Sequence, residues 1–301
     1  MEQMFDLLIF FFLGTVGVYL VQGAHHWKRT RERPTALVFF CLLVFSWLVV
    51  FYGSFIEPRM LVTTHSSLRL SETPTKSLNA VLLSDLHVGP FKKALWTRKV
   101  VDRVNALRPD LVFLAGDFVT QSETDAAYLA PLKHLSATYG VFAVTGNHEY
   151  RADASDAVVQ SLRDSGITVL ENESVVVEVD GKPIKIAGVS DIWYEGDLAK
   201  TMRDIQQDDT AILLAHNPDV VLDPASRLAD AVIAGHTHGG QIRLPLLGPV
   251  PALPTQLGRR YDRGWFNDDG MKLFITSGVA ETGTRARLLV PPEIVHIHLS
   301  F

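Results

Sequence analysis

Three short stretches put metal-binding side chains close together: Asp85-Leu86-His87, Gly146-Asn147-His148-Glu149 and Gly235-His236-Thr237-His238-Gly239-Gly240. Gly116-Asp117 adds a carboxylate and His216-Asn217 another imidazole. Carboxylate and amide oxygens suit hard divalent ions, and imidazole suits the borderline metals. Two such ions about 3.5–4 Å apart need a shared ligand, and a carboxylate has two oxygens to supply it. In Asp-x-His and His-x-His the intervening residue would let both side chains reach one centre from an extended turn. The glycines before Asp117, Asn147 and His236 would permit unusual backbone angles and close packing. Gly239-Gly240 would let a substrate phosphate approach the backbone. Taken singly, Asp85-x-His87 reads as a surface turn, Gly116-Asp117 carries almost no signal, a lone His216 is an ordinary core or surface histidine, Gly-Asn-His-Glu is uncommon but compatible with a turn, and Gly-His-Thr-His-Gly-Gly is already suggestive. All five in one order, each behind an apolar run, form a metal-site pattern.

Those apolar runs are the elements that must position the ligands. Asn79–Ser84, Leu111–Ala115, Val141–Thr145, Ala211–Ala215 and Ala231–Ala234 read as buried strands, each followed at once by one of the polar motifs. Lys272–Thr276 and Ile294–Leu299 read as further strands, and Val175–Ala187 as a hairpin turning at Asp180-Gly181. Leu95–Leu107 and Asp153–Ser165 carry helical periodicity. In open α/β sheets a ligand site forms outside the carboxyl ends of the strands. This pattern would gather Asp85, His87, Asp117, Asn147, His148, His216, His236 and His238 at one place.

The 301 residues carry a formal net charge of -5 with scattered Lys and Arg, so no basic face for nucleic acid is expected. The single cysteine, Cys41, excludes an intrachain disulfide and a cysteine-based zinc site. Apolar content is concentrated at the N-terminus. Residues 5–24 and 35–55 form two runs of about 20 residues, long enough to cross a bilayer core of roughly 30 Å as helices. The loop between them carries Lys28, Arg29, Arg31 and Arg33 against Glu32. The positive-inside rule puts that loop in the cytoplasm. The chain is therefore expected to be a multi-pass cell-membrane protein. Residues 1–56 would form a transmembrane helical hairpin, and residues 57–301 a catalytic domain in the periplasm or outside the cell. Residues 56–74 read as a bilayer exit, a short strand and a turn.

The stretches SDLHVG (84–89), GDFV (116–119), GNHEY (146–150), LAHNPD (214–219), AGHTHGGQIRLP (234–245) and PPE (291–293) resemble the calcineurin-like metallophosphoesterase superfamily. Within it the chain looks most like bacterial membrane-associated phosphoesterases of the YkuE and YaeI type. The resemblance spans residues 57–301 and implies a four-layer αββα sandwich. It also implies two divalent metal ions, with manganese the first choice and iron or zinc the others. Carried over, Asp85, His87 and His238 would hold one ion, and Asn147, His216 and His236 the other. Asp117 would bridge them, and His148 would meet the scissile phosphate and protonate the leaving oxygen. Arg243 is expected to contact substrate. Arg259, Arg260, Arg285 and Arg287 could bind a second phosphate or a lipid headgroup, or simply be solvated charge. Trp193-Tyr194 could line the cleft or pack beneath it.

The expected reaction is hydrolysis of a phosphodiester or pyrophosphate bond in a phosphorylated membrane lipid or cell-envelope substrate. No nucleic-acid partner and no obligate protein partner are expected. The competing readings are a catalytically weak metal-binding scaffold and a phosphomonoesterase or phosphoprotein phosphatase. Filled ligand positions argue against the scaffold.

Overall fold

The computed structural model describes residues 2–268 and 270–301. It begins with α1 (Glu2–His25), the basic turn α2 (Trp27–Arg31) and α3 (Pro34–Phe51). Pro34 opens α3 at its first turn, where a missing amide hydrogen costs nothing. Contacts between Phe10 and Phe55, Leu13 and Trp47, and Gly23 and Phe40 run in the order of an antiparallel hairpin. Leu7, Phe11, Val21, Phe39 and Phe45 stay exposed around these helices. A helix apolar on all sides needs an apolar surround, and both helices are long and apolar enough to cross a membrane. A π turn at Tyr52–Ile56 and a tight turn at Glu57–Arg59 then end the helical path.

The rest of the chain forms two six-stranded sheets packed face to face. In chain order the elements are β1 (Val62–Arg69), β2 (Ser77–Leu83), α4 (Ala94–Ala106), β3 (Leu111–Ala115), β4 (Val141–Val144), α5 (Asn147–Arg151), α6 (Ser155–Asp164), β5 (Thr168–Val169), β6 (Glu173–Val179), β7 (Lys182–Gly188), α7 (Leu198–Thr201), β8 (Ala211–Leu214), β9 (Ala231–Ala234), β10 (Arg243–Leu244), β11 (Gly248–Pro249), β12 (Gly264–Asp268), β13 (Met271–Ile275) and β14 (Glu293–Ser300). One sheet has the order β1-β14-β2-β3-β4-β5 and the other β12-β13-β9-β8-β7-β6; β10 and β11 pair separately.

Alternation along the strands builds the layers. In β2, Ala80 and Leu82 join Phe113, Ile186, Ile212, Ile233 and Ile297 between the sheets. Val81 and Leu83 point the other way, onto Val100 and Val104 of α4 and Leu162 of α6. The outer face of the second sheet packs Leu213, Val232 and Leu273 on Leu198 and Met202. The result is the four-layer αββα sandwich expected from the sequence. Strands β2, β3 and β4 are parallel, as are β7, β8, β9 and β13. The ends that follow β2, β3, β4, β8 and β9 therefore meet at one edge of the sandwich.

Among the elements that differ from expectation are two strands at sheet edges. The short strand foreseen after the apolar runs is eight residues long and pairs in parallel with β14. Its sequence, VTTHSSLR, buries only Leu68, as suits an outermost strand with few apolar positions. Strand β12 was not foreseen, because Gly264-Trp265-Phe266-Asn267-Asp268 has too short an apolar core to register as a strand.

Arg287 is a structural residue. It is fully buried and donates hydrogen bonds to the carbonyls of Val290 (3.0 Å), Ser277 (2.7 Å) and Ala280. It cannot meet substrate. Removing a buried charge that satisfies several carbonyls leaves them unpaired. Arg287→Ala should lower stability by about 3 kcal/mol or more, read by thermal unfolding of the detergent-solubilised chain. A change below about 1 kcal/mol would mean that the guanidinium is solvated.

Candidate metal centre

The ligand loops are fastened to one another before any metal is considered. Behind β2, the amides of Asp85 and His87 donate to the carbonyls of Gly116 and Asp117, both at 3.0 Å. Leu86, between them, turns into the core with no exposure. The backbone is not the extended turn expected from the spacing. Asp85 (φ 57°), His87 (φ 41°), Asp117 (φ 56°), His236 (φ 72°) and His238 (φ 52°) all lie in the left-handed region. Each such residue costs on the order of 1–3 kcal/mol, a strain that collects at functional sites. The glycines act through close approach. A Cβ on Gly146 would stand 2.3 Å from Asp117 Oδ1, and one on Gly235 would stand 1.9 Å from Ser84 Oγ. Gly239 and Gly240 are crowded by Val290 and Pro249, so a side chain at either would clash with protein, and Gly240 also lines the metal cleft.

Two clusters result. Donor atoms of Asp85, His87, Asp117 and His238 lie within 4.8 Å of one another, as do those of Asp117, His216 and His236. Asp117 belongs to both. Its Oδ2 is 3.2 Å from His216 Nε2 and 3.5 Å from His87 Nε2, and its Oδ1 accepts the His148 amide at 2.8 Å. In the first cluster His238 Nε2 stands 3.3 Å from Asp85 Oδ1 and 3.2 Å from His87 Nε2. In the second, His216 Nε2 faces His236 Nδ1 at 2.9 Å and Asn147 Oδ1 at 3.2 Å.

The arrangement fits cations. His216 Nδ1 donates to the Ala115 carbonyl (2.8 Å) and His238 Nδ1 to the Ala280 carbonyl (3.2 Å). Each bond fixes the tautomer and leaves the Nε2 lone pair facing inward, as in metal-bound histidine. His216 Nε2 then confronts a carboxylate oxygen, an amide oxygen and a second imidazole, a place that either a proton or a metal ion must fill. Asp85 Oδ1 is buried and accepts no hydrogen bond. Buried acceptors converging in this way are costly unless a cation sits among them. The titration properties express the same demand. Burial opposes a charged His216, but Asp117 and Asp85 outweigh it and push its pKa up to about 10. Burial likewise opposes the Asp117 charge, yet His216 and His148 hold its carboxyl well below the usual range. His87 and His236 are held well below 6.5, chiefly by burial.

Glu149 lies within a ligand motif, yet its position in the sequence assigns it no role. Fully buried, it accepts backbone amides from Gly146 (2.7 Å), Asp117 (3.1 Å), Phe118 (2.7 Å) and Val119 (3.2 Å). One carboxylate thus locks the Asp117 loop to the start of α5. The available signal was the acidic residue three places after Gly146, the spacing of a capping box. Burial, followed by the Asp117 charge, raises its pKa to about 8.

Asp117, Asn147, His148, His236 and His238 line a cleft of about 360 Å³. Trp193 is in its wall, with its ring edge-on to His236 at 4.7 Å, while Tyr194 stacks on Tyr150. Arg243 is not in this cleft. It is ion-paired with Asp262 and borders a separate cavity on the β10–β11 hairpin. The arginine that lines the cleft is Arg151. Its place one turn into α5 carried no signal of its own. Phe5, from the first turn of α1, also lines the cleft. His65 and His296 lie outside it and face each other across β1 and β14.

Glu149→Ala should weaken metal binding by about 10–100-fold, as expected for a group that orients ligands. Titration of the full chain followed by elemental analysis would measure it. Unchanged affinity would show that the Asp117 loop holds its shape without Glu149.

The family model described as calcineurin-like phosphoesterase matches residues 78–240, more than half of the chain. The uncharacterized metallophosphoesterase YkuE of Bacillus subtilis is 28% identical over 254 residues, covering 81% of this chain and 87% of its own. The phosphodiesterase YaeI of Escherichia coli is 27% identical over 252 residues, covering 82% and 92%. A transmembrane protein with a metallophosphoesterase domain from Bos taurus is 33% identical over 206 residues, covering 62% of this chain and 46% of its own. With this family match and a paired cluster around Asp117 that could hold two metal ions, the chain belongs to the calcineurin-like phosphoesterases and is a dimetal, metal-dependent phosphoesterase.

Proposed function

We propose that the chain is a membrane-anchored hydrolase of phosphodiester or pyrophosphate bonds, acting on a phosphorylated lipid or cell-envelope substrate. Manganese is the metal proposed, and the catalytic domain is proposed to lie outside the cytoplasm. The observation that carries this reading is Phe5. A residue of the first apolar helix stands in the wall of the metal cleft, beside Gln241 and Thr282–Thr284. If α1 and α3 span a bilayer, that wall opens at the membrane surface, where lipid phosphates are concentrated. Diester cleavage is supported by the likeness to YaeI, and the outward orientation by the basic turn α2 at the opposite end of the helical hairpin.

Two divalent ions, held by Asp85, His87 and His238 and by Asn147, His216 and His236 with Asp117 between, would acidify water and neutralise charge on the phosphoryl oxygens. The imidazole, amide and carboxylate donors suit manganese, iron or zinc. His148 supplies the proton chemistry. Its Nδ1 faces the Thr120 carbonyl at 3.4 Å, and its amide is fastened to Asp117. With Nδ1–H turned to that carbonyl, the doubly protonated ring would carry a second proton on Nε2 and pass it to the leaving oxygen, leaving a neutral imidazole. Trp193 narrows access beside His236, and Arg151 offers a guanidinium at the mouth, over the Trp193 ring at 5.6 Å.

Spheroplasts expressing the full chain should hydrolyse added bis(p-nitrophenyl) phosphate faster than p-nitrophenyl phosphate, without lysis, and lose the activity with a permeating chelator. Activity appearing only on lysis would reverse the orientation. Preference for the monoester would favour a phosphomonoesterase. His148→Ala should keep both metals while the rate falls by about 10²–10⁴. Loss of the metals in that variant would contradict its assigned role.

A further inference from the structure

The hairpin β10–β11 carries an apolar surface that the soluble fold does not use. Leu246 at its tip is 106% exposed and Leu247 66%, and Leu244, Val250 and Leu289 are exposed as well. Single exposed leucines are ordinary, but a contiguous group marks an interaction surface. Leu244, Leu246, Leu247 and Leu289 border a cavity of about 700 Å³ whose lining also includes Arg259 and Arg260. Leucines at a tip with arginines behind them suit the boundary of a bilayer, where alkyl groups enter the chains and guanidinium groups meet lipid phosphates.

The backbone ties this hairpin to the place where the second apolar helix ends. The Arg243 amide donates to the Leu288 carbonyl at 2.9 Å, and the Leu288 amide to the Gln241 carbonyl at 2.8 Å. One residue earlier, the Arg287 amide donates to the Gly53 carbonyl at 2.8 Å. The Glu57 carboxylate accepts the amides of Leu289 (2.9 Å) and Val290 (2.5 Å). Gly53 and Glu57 lie in the turns at which the helical path from α3 stops. A Cβ at Gly53 would already press on the Arg287 carbonyl at 3.1 Å. Arg285 also reaches Asp6 of α1 at 3.8 Å. Segment 285–290 thus joins both apolar helices to the root of the hairpin.

We infer that the β10–β11 tip inserts Leu244, Leu246 and Leu247 into the lipid leaflet at which α3 ends, with Arg259 and Arg260 at the level of its phosphates. The occupant is the bilayer itself, and the hydrogen-bonded tie from the hairpin root through segment 287–290 to the turns that end the α3 path is what selects it. The insertion would give the domain a second attachment beyond the Tyr52–Arg59 turns and hold the cleft mouth against the leaflet. This inference rests on the membrane-anchored reading above.

The test uses the full chain with Cys41→Ser and a single new cysteine carrying an environment-sensitive fluorophore, in vesicles of phosphatidylethanolamine and phosphatidylglycerol with or without nitroxide-labelled lipid. Labels are placed by Leu246→Cys, by Phe45→Cys in α3, and by Val176→Cys on the exposed face of β6. The inference expects strong lipid-nitroxide quenching at 246 and 45 and none at 176. Quenching at 45 without quenching at 246 overturns the insertion and leaves the anchor standing. No quenching at 45 removes the anchor and the insertion with it. A label at 246 shielded from iodide yet untouched by lipid nitroxide overturns the inference in favour of a protein-covered hairpin.

Discussion

The architecture depends on keeping one carboxylate, Asp117, charged and buried between two sets of imidazoles. Only 2% of it is exposed, and an uncompensated carboxylate there would be expensive. The fold supplies part of the compensation through the His148 amide on Oδ1 and the imidazoles of His216 and His87 around Oδ2. Divalent ions held by these residues would supply the rest. Bringing the compensating groups together requires β3 between β2 and β4 in one sheet, with β8 and β9 of the other sheet ending at the same edge. It also requires glycine at 146, because any larger residue would occupy the space of the carboxylate. The parallel order of the central strands, the two-sided burial that makes them apolar, and the short loops after them all serve this convergence.

The candidate ligands were legible because metal chemistry limits residue types severely. Aspartate, asparagine and histidine at short spacing behind apolar runs do not recur five times in one chain by chance. The strands that carry them were legible for the same reason that they are central: burial on both faces removes polar residues and leaves uninterrupted β-formers. Strands β1 and β12 lie at sheet edges, where polar residues are tolerated and the periodic signal fades. Left-handed backbone at Asp85, His87, His236 and His238 could not be read, because it is imposed by hydrogen bonds between distant loops.

Arginines were the least legible residues. Residue type alone does not separate a buried scaffold such as Arg287, an ion-paired residue such as Arg243 and a cleft residue such as Arg151; only their surroundings do. Glu149 was obscure for a related reason. Its role is to bind backbone amides from two loops, and a sequence does not display that the loops adjoin. Phe5 lies furthest in sequence from the motifs and lines the same cleft, because the fold returns the start of α1 to segment 282–285. Its meaning rests on tertiary placement, since another apolar residue in an apolar helix carries no individual signal.

The central claim is that a single carboxylate joins two metal positions into one site. Electron paramagnetic resonance of the full chain loaded with manganese tests it directly. Two manganese ions sharing Asp117, about 3.5–4 Å apart, should give a broad exchange-coupled spectrum that Asp117→Asn abolishes. A six-line spectrum of isolated ions at full loading, unchanged by that substitution, would contradict the claim.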